Sequence, residues 1–264
     1  MSEYIKITSR KNEAVMTAAA LKKSKGRNEQ NAFFTEGMKL FCEALSAGFT
    51  PREVFVTEQF LNSGAGERFI KLNTSPRTYE TTREAYEKIS DEDAFEGVFA
   101  VFDKFEICPV KNSISLILEN IQDPGNVGTI LRSAAALGAR EVVGVECADL
   151  FSPKAVRSTM GAIFRMPYKS VDTIEEAVEY VSKTHKNIYA ATLTPDAVDV
   201  MRVDTSSACV MIGNEGHGLS DKAISLSKKQ IIIPIEAVES LNASAAAAVI
   251  LYDSFLKRGE KIDG

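Results

Sequence analysis

From residue 114 onward, short apolar segments alternate with amphipathic segments at regular intervals, and this alternation limits the folds that the chain can adopt. The apolar segments are typical of buried strands, and the segments between them are typical of helices. Strands are predicted at residues 115–118, 141–145, 168–171, 187–192, 208–212 and 230–235. Helices are predicted at residues 127–137, 153–163, 174–184, 220–227 and 244–256. This pattern predicts an α/β domain with a mostly parallel sheet and helices on both faces.

Three loops of this domain are candidates for a functional site. Ligands of parallel sheets bind beyond the carboxyl ends of the strands, and polar loops held by rigid elements are often functional. Polar loops follow the predicted strands that end at Leu118, Ile212 and Ile235. The rule therefore selects these three loops.

The composition is that of an ordinary globular chain. Its 264 residues are 45% hydrophobic and 25% charged, which suffices for one large domain or two smaller ones. No apolar run reaches the ~18 to 20 residues of a membrane span, and the N-terminus lacks the apolar core of a secretory signal. We therefore expect a cytoplasmic protein without membrane contact. The cysteines lack CxxC spacing and only two histidines occur, so neither a metal site nor a Ser-His-Asp triad is indicated.

The first hundred residues follow a different pattern. Helices are predicted at residues 12–25, 34–48 and 83–89, and strands at residues 52–57 and 97–102. This is the pattern of a smaller α/β unit. The segment 105–113 contains a proline among polar residues and is the best candidate for a linker. We therefore predict two domains, residues 1–106 and residues 107–264.

Charge is unevenly distributed along the chain. The net charge of -5 argues against nucleic acid as a partner, because phosphate binding needs local positive charge. Residues 1–31, however, contain seven basic residues against three acidic ones, and the basic residues include Arg10, Lys11 and Arg27. A solvated helix face explains the same charges equally well.

The first candidate loop reads ENIQDPGNVGTILRSAAALGA from Glu119. Its Asp-Pro-Gly sequence at residues 123–125 predicts a turn, and Asn126 is the expected N-cap of the following helix. Arg132 then lies on the second turn of that helix. A capped helix with a solvated arginine explains the same residues without any function.

The second candidate loop reads MIGNEGHGLS and contains three glycines, Gly213, Gly216 and Gly218. Glycines between a buried strand and a helix allow backbone amides to approach a ligand closely. The spacing differs from the GxGxxG of a dinucleotide-binding fold, and no P-loop lysine follows. Glu215 is the acidic residue of this turn, and structural turns of similar composition are common.

The third candidate loop, residues 236–242, joins an apolar strand to an alanine-rich helix and contains a Ser-Leu-Asn sequence. Together with the other two loops, it resembles the motifs of the SpoU-TrmH family of S-adenosylmethionine-dependent RNA 2'-O-ribose methyltransferases, within the SPOUT superfamily. The matching segments, in the family's order, are ENIQDPGNVGTILR from Glu119, VMIGNEGHGLS from Val210, and IIIPI with SLNAS between Ile231 and Ser244.

The resemblance covers residues 114–256, and RSTMGAIFRMPY from Arg157 is similar to the family's intermediate segment. Residues 1–102 are more weakly similar to the family's small substrate-binding domain. The most similar stretch there is RNEQNAFFTEG from Arg27.

The resemblance implies a deep trefoil knot in the C-terminal domain, a homodimer with active sites close to its interface, and an N-terminal α/β domain that recognises RNA. The implied cofactor is S-adenosylmethionine, and the residues that would bind it are Leu193, Gly213, Ile233 and Leu241. The implied catalytic residues are Asn126, Arg132, Glu215, Ser240 and Asn242. The implied RNA contacts are Arg10, Lys11, Arg27, Arg157 and Arg165.

The implied reaction is the attack of an RNA ribose hydroxyl on the methyl carbon of a sulfonium. It requires positioning and proton acceptance, but neither a metal nor a protein nucleophile. Arg132 is the candidate that activates the hydroxyl. Because guanidinium stays protonated in proteins, Arg132 can instead bind the adjacent phosphate and stabilise developing negative charge. Ribosomal RNA is expected over transfer RNA, since a separate N-terminal domain of this kind is commoner among the ribosomal enzymes.

Two segments depart from the family pattern. The third loop, within IPIEAVESLN, is one residue shorter than usual and has Glu236 and Ala237 in place of a glycine-containing stretch. The segment SDEDAFEGVFAV, residues 90–101, is more acidic than the usual form. These departures and the acidic net charge favour, as an alternative, an RNA-binding or ribosome-assembly protein that keeps the fold without catalysis. A nucleotide-binding protein unrelated to RNA is a weaker alternative, because it requires another phosphate site.

Overall fold

The chain forms two separate β-sheets from successive parts of its sequence. The structure is a computed structural model that describes residues 4–90, 97–109 and 112–259. Residues 91–96 of the acidic segment and residues 110–111 of the predicted linker lie outside the described residues.

The first sheet belongs to a smaller α/β unit, as predicted. Its strands are β1 (Ile5–Ile7), β2 (Ala32–Glu36), β3 (Glu53–Thr57), β4 (Thr78–Thr81) and β5 (Val98–Asp103). The helices between them are α1 (Glu13–Ala20), α2 (Ser24–Gln30), α3 (Met38–Ser46), α4 (Glu58–Leu61), α5 (Gly64–Leu72) and α6 (Arg83–Ile89). The strand order is β1-β4-β3-β5-β2, with parallel pairing of β4 to β1 and β3 and antiparallel pairing of β5 to β3 and β2.

The predicted helix at residues 34–48 is wrong in its first part, because Ala32–Glu36 forms strand β2. All five residues of β2 are buried. A short run that is buried on both sides does not reveal its period, so it can be read as a helix turn. The predicted helix at residues 12–25 is likewise two helices, α1 and α2.

The second sheet confirms the predicted parallel arrangement. Its strands are β6 (Ser115–Glu119), β7 (Glu141–Val145), β8 (Tyr168–Val171), β9 (Ile188–Ala191), β10 (Val198–Asp199), β11 (Cys209–Ile212) and β12 (Lys229–Ile232). The helices are α7 (Pro124–Ala136), α8 (Pro153–Thr159), α9 (Ile174–Ser182), α10 (Asp221–Leu226) and α11 (Ala243–Lys257). The strand order is β10-β12-β9-β11-β6-β7-β8, and all described pairs of this sheet are parallel.

Helices cover both faces of this sheet. On one face, Ile117 and Val143 pack in one core cluster with Ala177 and Val181 of α9. Strand side chains alternate between faces, so neighbouring strand residues point to the other face. There α7 packs against β7, α11 packs against β11, and the two helices pack against each other.

The chain divides into two compact units. They differ from the two predicted domains, residues 1–106 and 107–264, mainly in one segment, residues 151–164. One unit comprises Met1–Phe105 with Phe151–Phe164, and the other comprises Glu106–Leu150 with Arg165–Gly264. Within the first unit, the Phe33 ring lies 4.9 Å from that of Phe151. The segment's helix ends at Thr159, short of the predicted residue 163, because Met160 and Gly161 adopt positive φ angles.

The order of strands in the second sheet reverses between β6 and β11. From β6 the chain proceeds outward to β7 and β8, and it then returns to build β9 and the strands on the other side. The loops after β6 and β11 therefore leave neighbouring strands in opposite directions. In open α/β sheets such a reversal of strand order is where ligands bind.

Candidate active site

The loop after β6 begins its helix earlier than the sequence pattern predicts. The Asp123 carboxylate accepts a hydrogen bond from the backbone N of Gly125 at 2.6 Å and caps α7. Pro124 occupies the first helical position, where its fixed φ is favourable. The prediction that Asn126 is the N-cap is therefore wrong. Asn126 lies in the first turn of α7, and its side chain contacts the two other loops.

The loop after β11 is a tight turn closed by backbone and side-chain hydrogen bonds. The backbone N and O of Asn214 pair with the O and N of Gly218 at 3.1 and 2.8 Å. The Asn214 Oδ1 also accepts from the backbone N of Gly216 at 2.8 Å. A Cβ on Gly213 would lie 2.2 Å from the carbonyl carbon of Gly218, so only glycine fits there. The turn holds Glu215 and His217 on its exposed side.

Asn126 links the first loop to the second and third. Its Nδ2 donates to Oε1 of Glu215, and its Oδ1 accepts from Nδ2 of Asn242 at 3.3 Å. The Oδ1 of Asn242 accepts from the backbone N of Ser244 at 2.9 Å, which caps α11. The direction of each amide in this relay is thus fixed by its neighbours. The structure brings three predicted site residues from three loops into one hydrogen-bonded cluster.

Arg132 does not belong to this cluster. It is exposed on α7, and among the residues that the structure describes it makes no hydrogen bond or ion pair. Six residues separate it from Asn126, which corresponds to a rotation of about 120° between the two side chains around the helix axis. Within one chain, Arg132 and Asn126 therefore face different directions.

A cavity of about 540 Å³ adjoins the cluster. Its lining includes Leu193, Ile233 and Leu241, three of the residues predicted to bind a cofactor, and also Ser240 and Glu215. Gly213 is not among the lining residues, although its neighbours Ile212 and Asn214 are. Leu193 is 59% exposed, which is high for a large apolar side chain in a concave site.

Several residues of the site were not predicted from sequence. Thr192, Thr194, His217 and Glu239 line the cavity. Glu119 joins the first two loops, because its carboxylate accepts from both the backbone N and the Oγ of Ser220 at 2.7 Å. The available signal for Thr192 and Glu119 was their position at the ends of buried strands, at the carboxyl edge of the sheet.

Cys147 also follows a strand at this edge, but its thiol is hydrogen-bonded to backbone carbonyls. Its Sγ donates to the carbonyls of Leu118 at 3.3 Å and Val145 at 3.4 Å. Burial raises the pKa of this thiol to about 11. The thiolate that cysteine chemistry requires is therefore scarce near neutral pH.

The third loop contains a backbone feature that sequence reasoning did not anticipate. Ala237, at the departure from the family pattern, has a φ of 63°. Residues with a Cβ rarely adopt this left-handed conformation, which costs them roughly 1–2 kcal/mol. The shortened loop nevertheless supplies Glu239, Ser240 and Leu241 to the cavity.

The residues predicted to bind RNA occupy different environments. Arg10 and Lys11 are exposed in the first unit, Arg157 is half-buried on α8, and Arg165 is exposed. Arg27 is only 3% exposed, and its Nη1 donates to the carbonyls of Leu21 at 2.9 Å and Lys22 at 3.0 Å. Its guanidinium donates to carbonyls just beyond the end of α1, so this side chain has a structural role. The prediction that Arg27 contacts RNA is therefore not retained, because the side chain is buried.

Two further classes of site are absent from the described part of the chain. Over residues 4–90, 97–109 and 112–259, no three His, Cys, Asp or Glu side chains come together as metal ligands. In the same ranges, the apolar helices are too short to span a bilayer.

The parallel sheet, the reversal of its strand order and the three joined loops define an α/β protein with a ligand site at the carboxyl edge of its sheet. The chain belongs to the SpoU rRNA methylase family, whose family model matches residues 113–252. A second model, of the MRM3-like substrate binding domain, matches residues 12–100.

Individual relatives extend this likeness over nearly the whole chain. An uncharacterized tRNA/rRNA methyltransferase of Synechocystis sp. is 32% identical over 96% of this chain and 94% of its own length. The 23S rRNA (guanosine(2553)-2'-O)-methyltransferase RlmP of Bacillus subtilis is 27% identical over 93% and 97%. The AdoMet complex of the SpoU methyltransferase AviRb from Streptomyces viridochromogenes superposes with a TM-score of 0.85, at 26% identity, over 94% and 98%.

Proposed function

We propose that this chain transfers the methyl group of S-adenosylmethionine to a ribose 2'-hydroxyl of ribosomal RNA. The observation that carries the proposal is that hydrogen bonds join the three loops beside one cavity. Glu215 belongs to the hydrogen-bonded cluster and also lines the cavity. The names of the relatives support it, because RlmP of Bacillus subtilis is a 23S rRNA 2'-O-methyltransferase and the AviRb structure is an AdoMet complex.

The cavity suits S-adenosylmethionine in size and chemistry. Its volume of about 540 Å³ falls within the range of ~300–1,000 Å³ that small-molecule sites occupy. Ile212, Ile231 and Ile233 supply apolar walls, and Leu193 offers an exposed apolar side chain that a ligand would cover. In this proposal, Leu193, Ile233 and Leu241 hold the cofactor. The deep trefoil knot implied by the family resemblance is part of the same proposal.

The catalytic work of the chain is to position the RNA hydroxyl and to stabilise the negative charge that develops on its oxygen, while the hydroxyl proton passes to solvent and the methyl group is transferred. The bound cofactor supplies a methyl carbon that is activated by a sulfonium. Asn126 fixes one carboxylate oxygen of Glu215, and Asn242 fixes Asn126. We place the Arg132 guanidinium between this carboxylate and the ribose, where its planar fork binds the adjacent phosphate and stabilises the alkoxide that develops. Ser240, on the cavity wall, helps to orient the arginine.

Arg132 reaches such a site most simply from a second copy of the chain. It lies on an exposed helical face that α7 shares with the neighbouring α11. The exposed residues of this face are mostly small or apolar: Thr129, Arg132 and Ala136 on α7, and Ala245, Val249, Tyr252 and Leu256 on α11. An exposed apolar stripe at helical spacing indicates a protein interface. We therefore propose a homodimer formed through α7 and α11.

The RNA contacts proposed for the chain are Arg10, Lys11, Arg157 and Arg165. Each of these side chains carries the positive charge that phosphate binding needs, although the net charge of the chain is -5. Ribosomal RNA is favoured over transfer RNA, because RlmP of Bacillus subtilis, similar over 93% of this chain, is a 23S rRNA enzyme.

Two measurements test the proposal. Isothermal titration with S-adenosylmethionine should show binding, and the absence of binding at millimolar cofactor would contradict the enzyme function. Mapping of 2'-O-methyl groups in RNA from cells with and without this protein should reveal a mark that is lost. If the lost mark lies in transfer RNA, the ribosomal preference is wrong.

A non-catalytic RNA-binding or ribosome-assembly protein is the second candidate, and the left-handed Ala237 in the shortened loop favours it. The substitution Arg132→Ala separates the two functions. If the chain is an enzyme, the variant loses the methyl mark, whereas a pure binder keeps its cellular role. Arg202→Ala is the matched control, because Arg202 is also exposed but lies in a 3₁₀ turn outside α7 and outside the three loops.

A further inference from the structure

Two threonines on the cavity wall share one hydrogen-bonding partner. Thr192 and Thr194 follow β9, and Gln230 lies on the neighbouring strand β12. The Oε1 of Gln230 accepts from the Thr192 hydroxyl at 3.2 Å and from the Thr194 hydroxyl at 2.9 Å. The two hydroxyl oxygens lie 3.1 Å apart. The three side chains thus form a closed triangle beside the cavity.

The triangle uses the hydroxyl protons and leaves the hydroxyl lone pairs. Each threonine hydroxyl has one proton and two acceptor lone pairs. Each threonine hydroxyl can donate to Gln230 or to the other threonine, so both protons are used within the triangle in either arrangement. Thr192 and Thr194 therefore offer acceptors, and no donor, to a ligand in the cavity. A ligand group that donates hydrogen bonds matches this edge, and a group that only accepts does not.

We infer that Thr192 and Thr194 select the adenosine part of the cofactor by accepting a hydrogen bond from it, and that Gln230 is the residue that positions them. This inference rests on the proposed S-adenosylmethionine function. Adenosine carries donors in its exocyclic amine and its ribose hydroxyls, and either kind of donor can bond to a threonine hydroxyl oxygen. Leu193, between them, is 59% exposed and gives a purine ring an apolar surface beside the acceptors.

Binding of S-adenosylhomocysteine to single variants tests the threonines. Thr192→Val and Thr194→Val keep the shape but remove the acceptor, and each should weaken binding about three- to tenfold, the range of one neutral hydrogen bond. Thr194→Ser keeps the hydroxyl and should bind within about twofold of the parent chain. Thermal unfolding of each variant shows whether it is folded.

Ligand analogues identify the group that is recognised. The inosine analogue of S-adenosylhomocysteine lacks the exocyclic amine, and the 2'- and 3'-deoxyribose analogues each lack one hydroxyl. For the analogue without the recognised donor, the valine substitutions should cause no further loss, because both members of the pair are already missing. Equal losses for all analogues would overturn the inference, since the effect would not come from a hydrogen bond.

Gln230→Met tests the positioning role. It removes the shared acceptor and frees the threonine protons, so binding of S-adenosylhomocysteine should weaken although both threonines remain. The ratio of the dissociation constants for S-adenosylhomocysteine and for the analogue without the recognised donor should also move closer to one. Unchanged binding and discrimination would overturn the role of Gln230.

The outcomes separate this inference from the proposed function. If the parent chain binds S-adenosylhomocysteine and the dissociation constants of both valine variants lie within about twofold of the parent value, only the threonine assignment is wrong. If the parent chain does not bind S-adenosylhomocysteine or S-adenosylmethionine at millimolar concentration, the proposed function is wrong and this inference falls with it.

Discussion

At Ala237 the backbone adopts a φ of 63°, a conformation that glycine reaches without a steric penalty. We expect Ala237→Gly to raise the free energy of unfolding by up to about 1 kcal/mol, since relief of strain exceeds the extra chain entropy of glycine. Urea denaturation at neutral pH measures the difference. Ala65→Gly is the control of opposite sign, because Ala65 is exposed within helix α5. A loss of stability in Ala237→Gly would contradict the strain.

Asn126 should matter for catalysis more than for cofactor binding. Asn126→Ala removes a charge-assisted hydrogen bond to Glu215, and such bonds are worth about 1.5–3 kcal/mol. If this energy is expressed in the transition state, kcat should fall about 10- to 150-fold. Transfer of a radiolabelled methyl group to ribosomal RNA measures kcat, and titration measures cofactor affinity.

A matched substitution controls for the loss of an asparagine. Asn187→Ala removes an asparagine whose Oδ1 accepts from Lys228 at 2.7 Å, before β9 and away from the cavity lining. It should leave kcat within about twofold of the parent. Equal losses in the two variants would show that Asn126 has no special role.

Among the elements, α11 is fixed at its C-terminal end by an arginine that caps another helix. The Nη1 and Nη2 of Arg258 donate to the carbonyls of Gly138 at 2.7 Å and Leu137 at 2.5 Å, at the end of α7. We expect Arg258→Met to lower the free energy of unfolding by about 1–3 kcal/mol, because it leaves these carbonyls without a charged donor. Arg258→Lys keeps the positive charge but loses the paired donors of the guanidinium, so its free energy of unfolding should lie between those of the parent chain and Arg258→Met. Guanidinium chloride denaturation provides the measurement.

The amino ends of β6 and β9 meet at a buried histidine that should make stability depend on pH. The Nε2 of His185 lies 2.7 Å from the Ser115 Oγ, and its Nδ1 lies 2.8 Å from the Ser207 carbonyl. The carbonyl can only accept, so Nδ1 of the neutral ring carries the proton and Nε2 is left as an acceptor for the Ser115 hydroxyl, whose other partner is the Glu141 carboxylate at 3.3 Å. Burial lowers the pKa of His185 below its usual value. Between the lowered pKa and the usual value, His185 therefore stays neutral in the folded protein, whereas the same histidine binds a proton in the unfolded chain.

Above about pH 6.5, the pKa of a histidine in the unfolded chain, the contribution of neutral His185 to the free energy of unfolding should be at its maximum. It should decline as the pH falls from there toward the lowered pKa, with a slope of at most about 1.4 kcal/mol per pH unit for one proton. Urea denaturation between about pH 5 and 8 measures this slope. His185→Gln should lose that part of the slope, and identical slopes in the two proteins would contradict the assignment.

For the whole molecule, the proposed dimer predicts complementation between two inactive variants. If Arg132 serves the site of the other copy, Arg132→Ala and Asn126→Ala inactivate different sites in a mixed dimer. After random mixing, half of the dimers are mixed and one of their two sites is intact, so about a quarter of the parental activity should return. No recovery, when mixed dimers are shown to form, would place Arg132 in the site of its own chain.

Particular residues show how far sequence reasoning reached. The strand β11 and the turn after it were predicted closely, because their apolar run and glycines are local signals. The position of Asn126 was predicted, but its cap role was wrong, since Asp123 and Pro124 started the helix earlier. The burial of Arg27 could not be predicted, because the carbonyls that it meets belong to the end of another helix.

The sequence by itself determined the parallel sheet, the identity of its three polar loops and the family, since alternation and motifs are written within short stretches of chain. Only the tertiary structure decided that Asn126 meets Glu215, 89 residues away, and that Asn242 joins them. It also decided that Ala237 takes a left-handed turn and that Gln230 holds two threonines. These outcomes depend on which strands become neighbours, and contacts between distant residues form only when the whole sheet is assembled.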